Sequence, residues 1–190
     1  MKGKIYQLLI ELTNGRWSSS LLRRFAQSKV SRRIIPSFAK YYKINLDEME
    51  RPIDEYASLH DFFTRALVQG AREINQDIAT VISPVDAVLE DSGHIHVDST
   101  FQVKGKVYSV KEMLGNHQVA EKYLGGRYMV LYLSPSHYHR IHSPVEGTVT
   151  RKSTCGKESY PVNKTGMTIG KHPLSTNYRE ISESQHTGGV

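Results

Sequence analysis

The chain has 190 residues, a formal net charge of +6 and 38% hydrophobic residues, enough for one domain with its own core plus an appendage. A single cysteine, Cys155, excludes an intrachain disulfide and a zinc site built from cysteines. No segment approaches the ~20 apolar residues that a membrane span requires, and Ile5 to Leu12, interrupted by Gln7 and Glu11, lacks the continuous apolar stretch of a signal peptide. The protein is therefore expected inside the cell, with any membrane contact peripheral.

Charge is concentrated at the start. Residues 1–46 carry ten basic side chains against Glu11 alone, a local +9 that leaves −3 for the remainder. Such asymmetry asks for an anionic partner. Ile5, Leu8, Leu9 and Leu12 follow the i, i+3, i+4, i+7 spacing of one helical face, and Asn14-Gly15 ends that stretch. Ser18, Ser19 or Ser20 is the expected cap of a second helix bearing Leu21, Leu22 and Phe25. Pro36 is placed to open a third, with Phe38, Tyr41 and Tyr42 on its apolar side. Short cationic helices of this kind lie in a lipid headgroup region, where each basic residue contributes about 1 kcal/mol near an anionic leaflet. Packing of the same stripes onto the protein's own core is the competing reading. Nucleic acid is not expected, because the segment has no docking motif or stacking platform.

Ser58 and Asp61 form a helix-capping pattern for residues 58–65, with Gly70 as the expected stop. From about residue 80 strands are predicted: Ile82, Phe101-Gln102-Val103, Val107-Tyr108 and the apolar run Tyr128 to Leu133, read as a buried central strand. A short helical turn is expected over Lys111–Leu114. Ser83-Pro84-Val85-Asp86-Ala87-Val88-Leu89 is echoed by Ser143-Pro144-Val145-Glu146-Gly147-Thr148-Val149. Each copy puts proline and an acidic-small pair before a strand, which suggests a duplicated hairpin unit. The expected architecture is α+β: a basic, helical, membrane-associating segment over 1–50, then a β-rich catalytic domain over 51–190. That domain is expected to be a mainly antiparallel sandwich or barrel of duplicated hairpins.

The densest functional cluster is His137-Tyr138-His139-Arg140-Ile141-His142, after the turn Ser134-Pro135-Ser136. Histidine holds or releases protons near neutral pH, and a loop fixed by a strand is a good place for chemistry. Three readings stay open at this level. One is acid–base catalysis with Asp86 orienting an imidazole. Another is a metal site from His137, His139, His142 and Glu146, although H-x-H-x-x-H matches no strong metal motif. The last is a loop of surface histidines.

Several segments stand in the order seen in phosphatidylserine decarboxylases. They are Phe62-Phe63-Thr64-Arg65 with Gly70-Ala71-Arg72, then Ser83-Pro84-Val85-Asp86, then Val103-Lys104-Gly105-Lys106 with Tyr108-Ser109. Leu133-Ser134-Pro135 with Tyr138 to Pro144, and Tyr160-Pro161-Val162-Asn163, follow. The chain resembles that family from about residue 55 to 180. The resemblance implies a proenzyme that cleaves itself at a Gly-Ser bond, turning the serine into the pyruvoyl cofactor of a small C-terminal partner chain. It implies that Asp86 and His142 activate that serine. The pyruvoyl carbonyl then forms a Schiff base with phosphatidylserine and accepts electrons as carbon dioxide leaves, and His139 supplies a proton. The implied product is phosphatidylethanolamine. The implied setting is an anionic phospholipid membrane, held peripherally at its cytoplasmic side, with a homodimer left open. Arg140, Lys104 and Lys106 are candidates for the headgroup phosphate against a background of ordinary surface charge.

Two features depart from the pattern. Ala87 stands where the family usually has glycine, a cost of about 1 kcal/mol if the position needs positive φ. No Gly-Ser dipeptide occurs, and Leu174-Ser175-Thr176 lacks the glycine of the family's cleavage motif. The expectation is a truncated chain, inactive alone, with exposed apolar edges and low stability. A non-catalytic peripheral membrane protein and a metal-dependent hydrolase using the histidines are the alternatives.

Overall fold

The computed structural model describes residues 16–97, 100–103, 105–159, 162 and 172–186. The stripe Ile5 to Leu12, Asn14-Gly15, Lys104 and the motif positions Tyr160, Pro161 and Asn163 lie outside the described residues.

Helix α1 (Arg16–Gln27) runs through Ser18, Ser19 and Ser20 instead of starting at one of them. Interior serine costs only a few tenths of a kcal/mol, and α1 packs against α3 (Leu59–Phe63). A 3₁₀ segment, Lys29–Ile34, leads into α2 (Ile35–Tyr42), with Pro36 in the first turn, where a missing N–H does no harm. Ser31 is fully buried; its Oγ accepts from the Leu59 amide at 2.9 Å and donates to the Ser28 carbonyl at 2.7 Å. That one hydroxyl joins the 3₁₀ segment to the start of α3.

The capping pattern at α3 forms as the sequence predicts. Ser58 Oγ accepts from the Asp61 amide at 3.2 Å, and the Asp61 carboxylate accepts from the Ala57 amide at 3.0 Å. The helix nevertheless ends at Phe63, well before Gly70. Thr64 closes it by bonding the His60 carbonyl through both its amide and its Oγ1. The chain is already extended at Leu67, which bridges to Met49. Gly70, at φ +82°, serves the tight turn beyond.

Ile35, Phe38, Ala39, Ile44, Met49, Tyr56 and Phe62 form the larger core. Phe62 meets Tyr56 and Phe38 edge-on at centroid distances of 5.4 and 6.5 Å. The helical stripes of α2 and α3 thus bury against each other.

The β region is α+β in detail and consists of three two-stranded antiparallel ladders: β1 (Val88–His94) with β4 (Arg127–Tyr132), β2 (Thr100–Val103) with β3 (Lys106–Ser109), and β5 (Gly147–Cys155) with β6 (Arg179–His186). Among the described residues they do not close into a barrel. Three short helices, α4 (Val110–Leu114), α5 (His117–Glu121) and α6 (Pro173–Thr176), lie between them, α4 where the sequence predicts a helical turn. A smaller core gathers on Phe101, Val103 and Tyr108, with Tyr128 and Val130 of β4 packed against it.

The apolar run of β4 is not a buried central strand. It has one ladder partner among the described residues, and Met129 is 66% exposed. Alternate side chains reach the small core, while the opposite face stays open.

The echoed motifs pair with each other. The Ile82 amide donates to the Pro144 carbonyl at 3.0 Å, and the His142 amide donates to the Pro84 carbonyl at 2.8 Å. Ser83 Oγ reaches the Val85 carbonyl and Ser143 Oγ the Val145 carbonyl, at 2.7 and 2.6 Å. The strand after each motif is bulged at the matching place, between Leu89 and Asp91 and between Val149 and Arg151. Equal hydrogen bonds and equal bulges favour a true internal repeat over coincidence. At the fifth position of the motif, Gly147 admits no Cβ because Gln185 of β6 lies against it. Ala87 is not among the described residues with positive φ, so the cost allowed for alanine there is absent.

Candidate active site

The repeat places the histidine loop. Its cross-pairing lays residues 82–84 beside 142–144, and a cleft of about 450 Å³ opens there, lined by Arg72, Asp86, Tyr138, Arg140 and His142 among others. Asp86 and His142 therefore share a site, as expected from sequence.

They are not joined in the way the sequence reading supposed. Arg72 grips Asp86 with two hydrogen bonds, Nε to Oδ1 at 2.8 Å and Nη2 to Oδ2 at 2.6 Å. Its Nη2 also reaches Glu48 Oε2 at 3.0 Å. The Arg72 guanidinium holds the Asp86 carboxyl below its usual range against the opposing effect of burial, and the Tyr138 amide adds to this. Asp86 thus stays ionised. His142 instead places Nε2 3.1 Å from Tyr138 Oη, and the two rings stack at 5.5 Å.

His139 is turned toward the helical core. Its ring stacks on Phe63 at 3.9 Å, and Nε2 lies 3.0 Å from the Ser134 carbonyl. A carbonyl only accepts, so Nε2 carries the proton and the Nδ1 lone pair remains to take one up. Burial lowers the imidazole below its ordinary titration range; the Ser134 carbonyl opposes this, and the charges of Arg65 and His137 reinforce it. His137 accepts from the Ser134 amide at Nδ1, 3.1 Å away, which fixes its tautomer and closes the turn.

The imidazoles of His137 and His139 both bond to the Ser134 backbone, through its amide and its carbonyl, while that of His142 bonds to Tyr138. Among the described residues no set of His, Cys, Asp or Glu side chains converges as metal ligands would. Glu146 faces a neighbouring groove with Ile74 and Ser143. Of the phosphate candidates, Arg140 lines the cleft and donates from Nε to the Thr64 carbonyl at 2.9 Å. Lys106 lies on β3, outside the cleft lining.

Sequence reasoning assigned no role to Arg72, Tyr138, Phe63 or Arg65. Arg65 is 3% exposed and donates from Nη2 to the Ser136 and His137 carbonyls at 3.3 and 3.2 Å. Two of these residues sat in the motif Phe62-Phe63-Thr64-Arg65, which marked the segment without revealing its contacts.

The model of the phosphatidylserine decarboxylase family matches residues 59–190. Proteins named phosphatidylserine decarboxylase proenzyme from Bacillus mycoides, Bacillus cereus and Bacillus thuringiensis are each 54% identical over 188 residues, covering 99% of this chain and 72% of theirs. The chain belongs to the phosphatidylserine decarboxylase family. The matched span includes α3, the repeat and the histidine loop, so the cleft lies wholly within the part that defines the decarboxylases. No helix among the described residues is long and apolar enough to cross a membrane.

Proposed function

We propose that this chain supplies the proton-handling side of a phosphatidylserine decarboxylase, converting phosphatidylserine to phosphatidylethanolamine together with a pyruvoyl-bearing partner chain. The observation that carries this reading is the convergence of Asp86, Tyr138, Arg140 and His142 on one cleft, with His139 stacked on Phe63 on the same loop, in a chain of that family.

The donor set fits a pyruvoyl group. Tyrosine, imidazole and guanidinium suit carbonyl oxygens and anionic headgroups. Among the described residues neither lysine nor cysteine lines the cleft, so none of them offers a side-chain amine or thiol to consume a ketone in place of the substrate amine. When present, the pyruvoyl carbonyl supplies the electron sink for loss of carbon dioxide.

This chain's own residues do the rest. His142, oriented by Tyr138 Oη and by its amide on Pro84, is the base for a hydroxyl brought into the cleft. His139 takes and returns a proton at Nδ1, with Nε2 anchored on Ser134. Arg140, exposed on the cleft with Nη1 and Nη2 beyond its Nε contact, attracts the phosphate of the headgroup.

Membrane recruitment is part of the proposal. Leu21, Val30 and Tyr41 are exposed on the helical region, among exposed Arg23, Arg24, Lys29, Arg33 and Lys40. That mixture suits peripheral binding to an anionic leaflet on the cytoplasmic side. The open apolar faces of the ladders, at Val88, Leu89, Met129 and Val149, are where the pyruvoyl chain would complete a sandwich.

The test is a fusion of this chain, in frame, to the part of the Bacillus mycoides relative that it does not cover. Carbon dioxide released from phosphatidylserine vesicles, with a new fragment seen by mass, supports the reading. A folded fusion that neither splits nor decarboxylates refutes it.

A further inference from the structure

Arg65 is unusual on physical grounds alone. Its guanidinium is buried, yet among the described residues no carboxylate bonds to it, Asp86 and Glu48 acting only through space, and Nε and Nη1 are buried without a hydrogen-bond partner there. An unpaired buried charge is strongly unfavourable, and an orphaned donor in a well-packed region asks for a reason. Leucine or methionine of similar size would pack beside Phe62, over whose ring the guanidinium carbon sits at 5.4 Å, without that cost.

What the charge does reach is the histidine loop. Nη2 holds the carbonyls of Ser136 and His137, the two residues after Pro135 and just before Tyr138 and His139. The tie is returned from the other side, because Arg140 Nε donates to the carbonyl of Thr64, next to Arg65. Between the two arginines, His139 stacks on Phe63. The segment 63–65 and the loop 136–140 are thus laced by two guanidinium contacts running in opposite directions, with the imidazole between them.

We propose that Arg65 is the positioning residue for His139, fixing the loop so that the imidazole lies flat on Phe63 with Nε2 on the Ser134 carbonyl and the Nδ1 lone pair kept as the proton acceptor. The inference rests on the reading of His139 as the residue that moves the proton in decarboxylation. A planar guanidinium, unlike an ammonium, reaches both carbonyls from one nitrogen edge in a fixed geometry. Its charge has a second consequence. The charged or titratable groups acting on His139 are Arg65, from the segment after α3, and His137, on its own loop; Phe63 offers an apolar face. Arg65 therefore also helps to keep His139 neutral, beyond what burial does alone.

Histidine NMR on the intact chain separates these effects without requiring activity. The His139 ring signals are assigned by their absence in His139→Gln. In the unaltered chain they are shifted upfield by the Phe63 ring, and they titrate below free histidine. Arg65→Met is expected to move them downfield and raise the titration midpoint, with the signals of His94 and His186 unchanged. Arg65→Lys keeps the charge and loses the two-carbonyl grip. It is expected to move the ring signals while leaving the midpoint low. Folded variants whose His139 shift and midpoint both match the unaltered chain would overturn the proposal. So would loss of the whole fold with either substitution, since Arg65 would then serve the core and not the loop. Failure of the decarboxylase reading would appear separately, as absent carbon dioxide release with these NMR effects intact.

Discussion

The helical and β regions solve the problem of burial differently. Residues 31–65 close a core of seven buried side chains around Phe38, Tyr56 and Phe62. Among the described residues the β region has three ladders of two strands each, a core centred on Phe101, Val103 and Tyr108, and large apolar side chains such as Val88, Leu89 and Met129 in solvent. A two-stranded ladder is marginal by itself. The histidine loop lies where the two regions meet, and it is held chiefly from the helical side, by Phe63, Thr64 and Arg65. The histidine loop thus leans on the region with the larger core.

The contrast can be broken first at Phe62. Phe62→Ala should cost about 3–5 kcal/mol, read by chemical denaturation followed through helix content. A loss near zero would mean that the helical core is not what holds the chain. The cap is the next test: Ser58→Ala should cost about 1 kcal/mol and should also loosen the His139 loop, since α3 ends in the Phe63 that His139 stacks on.

Much of the helical side was legible beforehand. Pro36 and the Ser58–Asp61 cap are local chemistry, and local chemistry is written in adjacent residues. The repeat was legible too, because its two copies keep both the side-chain pattern and the bulge. The pairing within the cleft was not. Asp86 had several cations from which to choose, and spacing along the chain does not say that Arg72 would arrive before His142. The open face of β4 was misread for a related reason. A run such as Tyr128 to Leu133 has the same composition whether a second strand or solvent lies beside it.

A smaller effect comes from pH. His139 titrates lower when folded than when unfolded, so its contribution to stability is present above the ordinary histidine value of about 6.5 and lost as pH falls toward the lowered folded value. The chain should thus weaken as pH falls below the ordinary histidine value of about 6.5, and His139→Gln should flatten that slope in urea midpoints. The smallest expected change is on the open β face. Met129→Ala should shift stability by no more than about 0.5 kcal/mol, because the side chain is already mostly in water. A large loss there would mean that the face is covered in the isolated chain.

The most direct test of the central claim separates the two histidines in the fused protein by measuring carbon dioxide release after maturation. His139→Ala should still split into two chains but release carbon dioxide about 10²–10⁴-fold more slowly, whereas His142→Ala should fail to split. Full-speed release by His139→Ala, or normal splitting by His142→Ala, would contradict the assignment of proton handling to this loop.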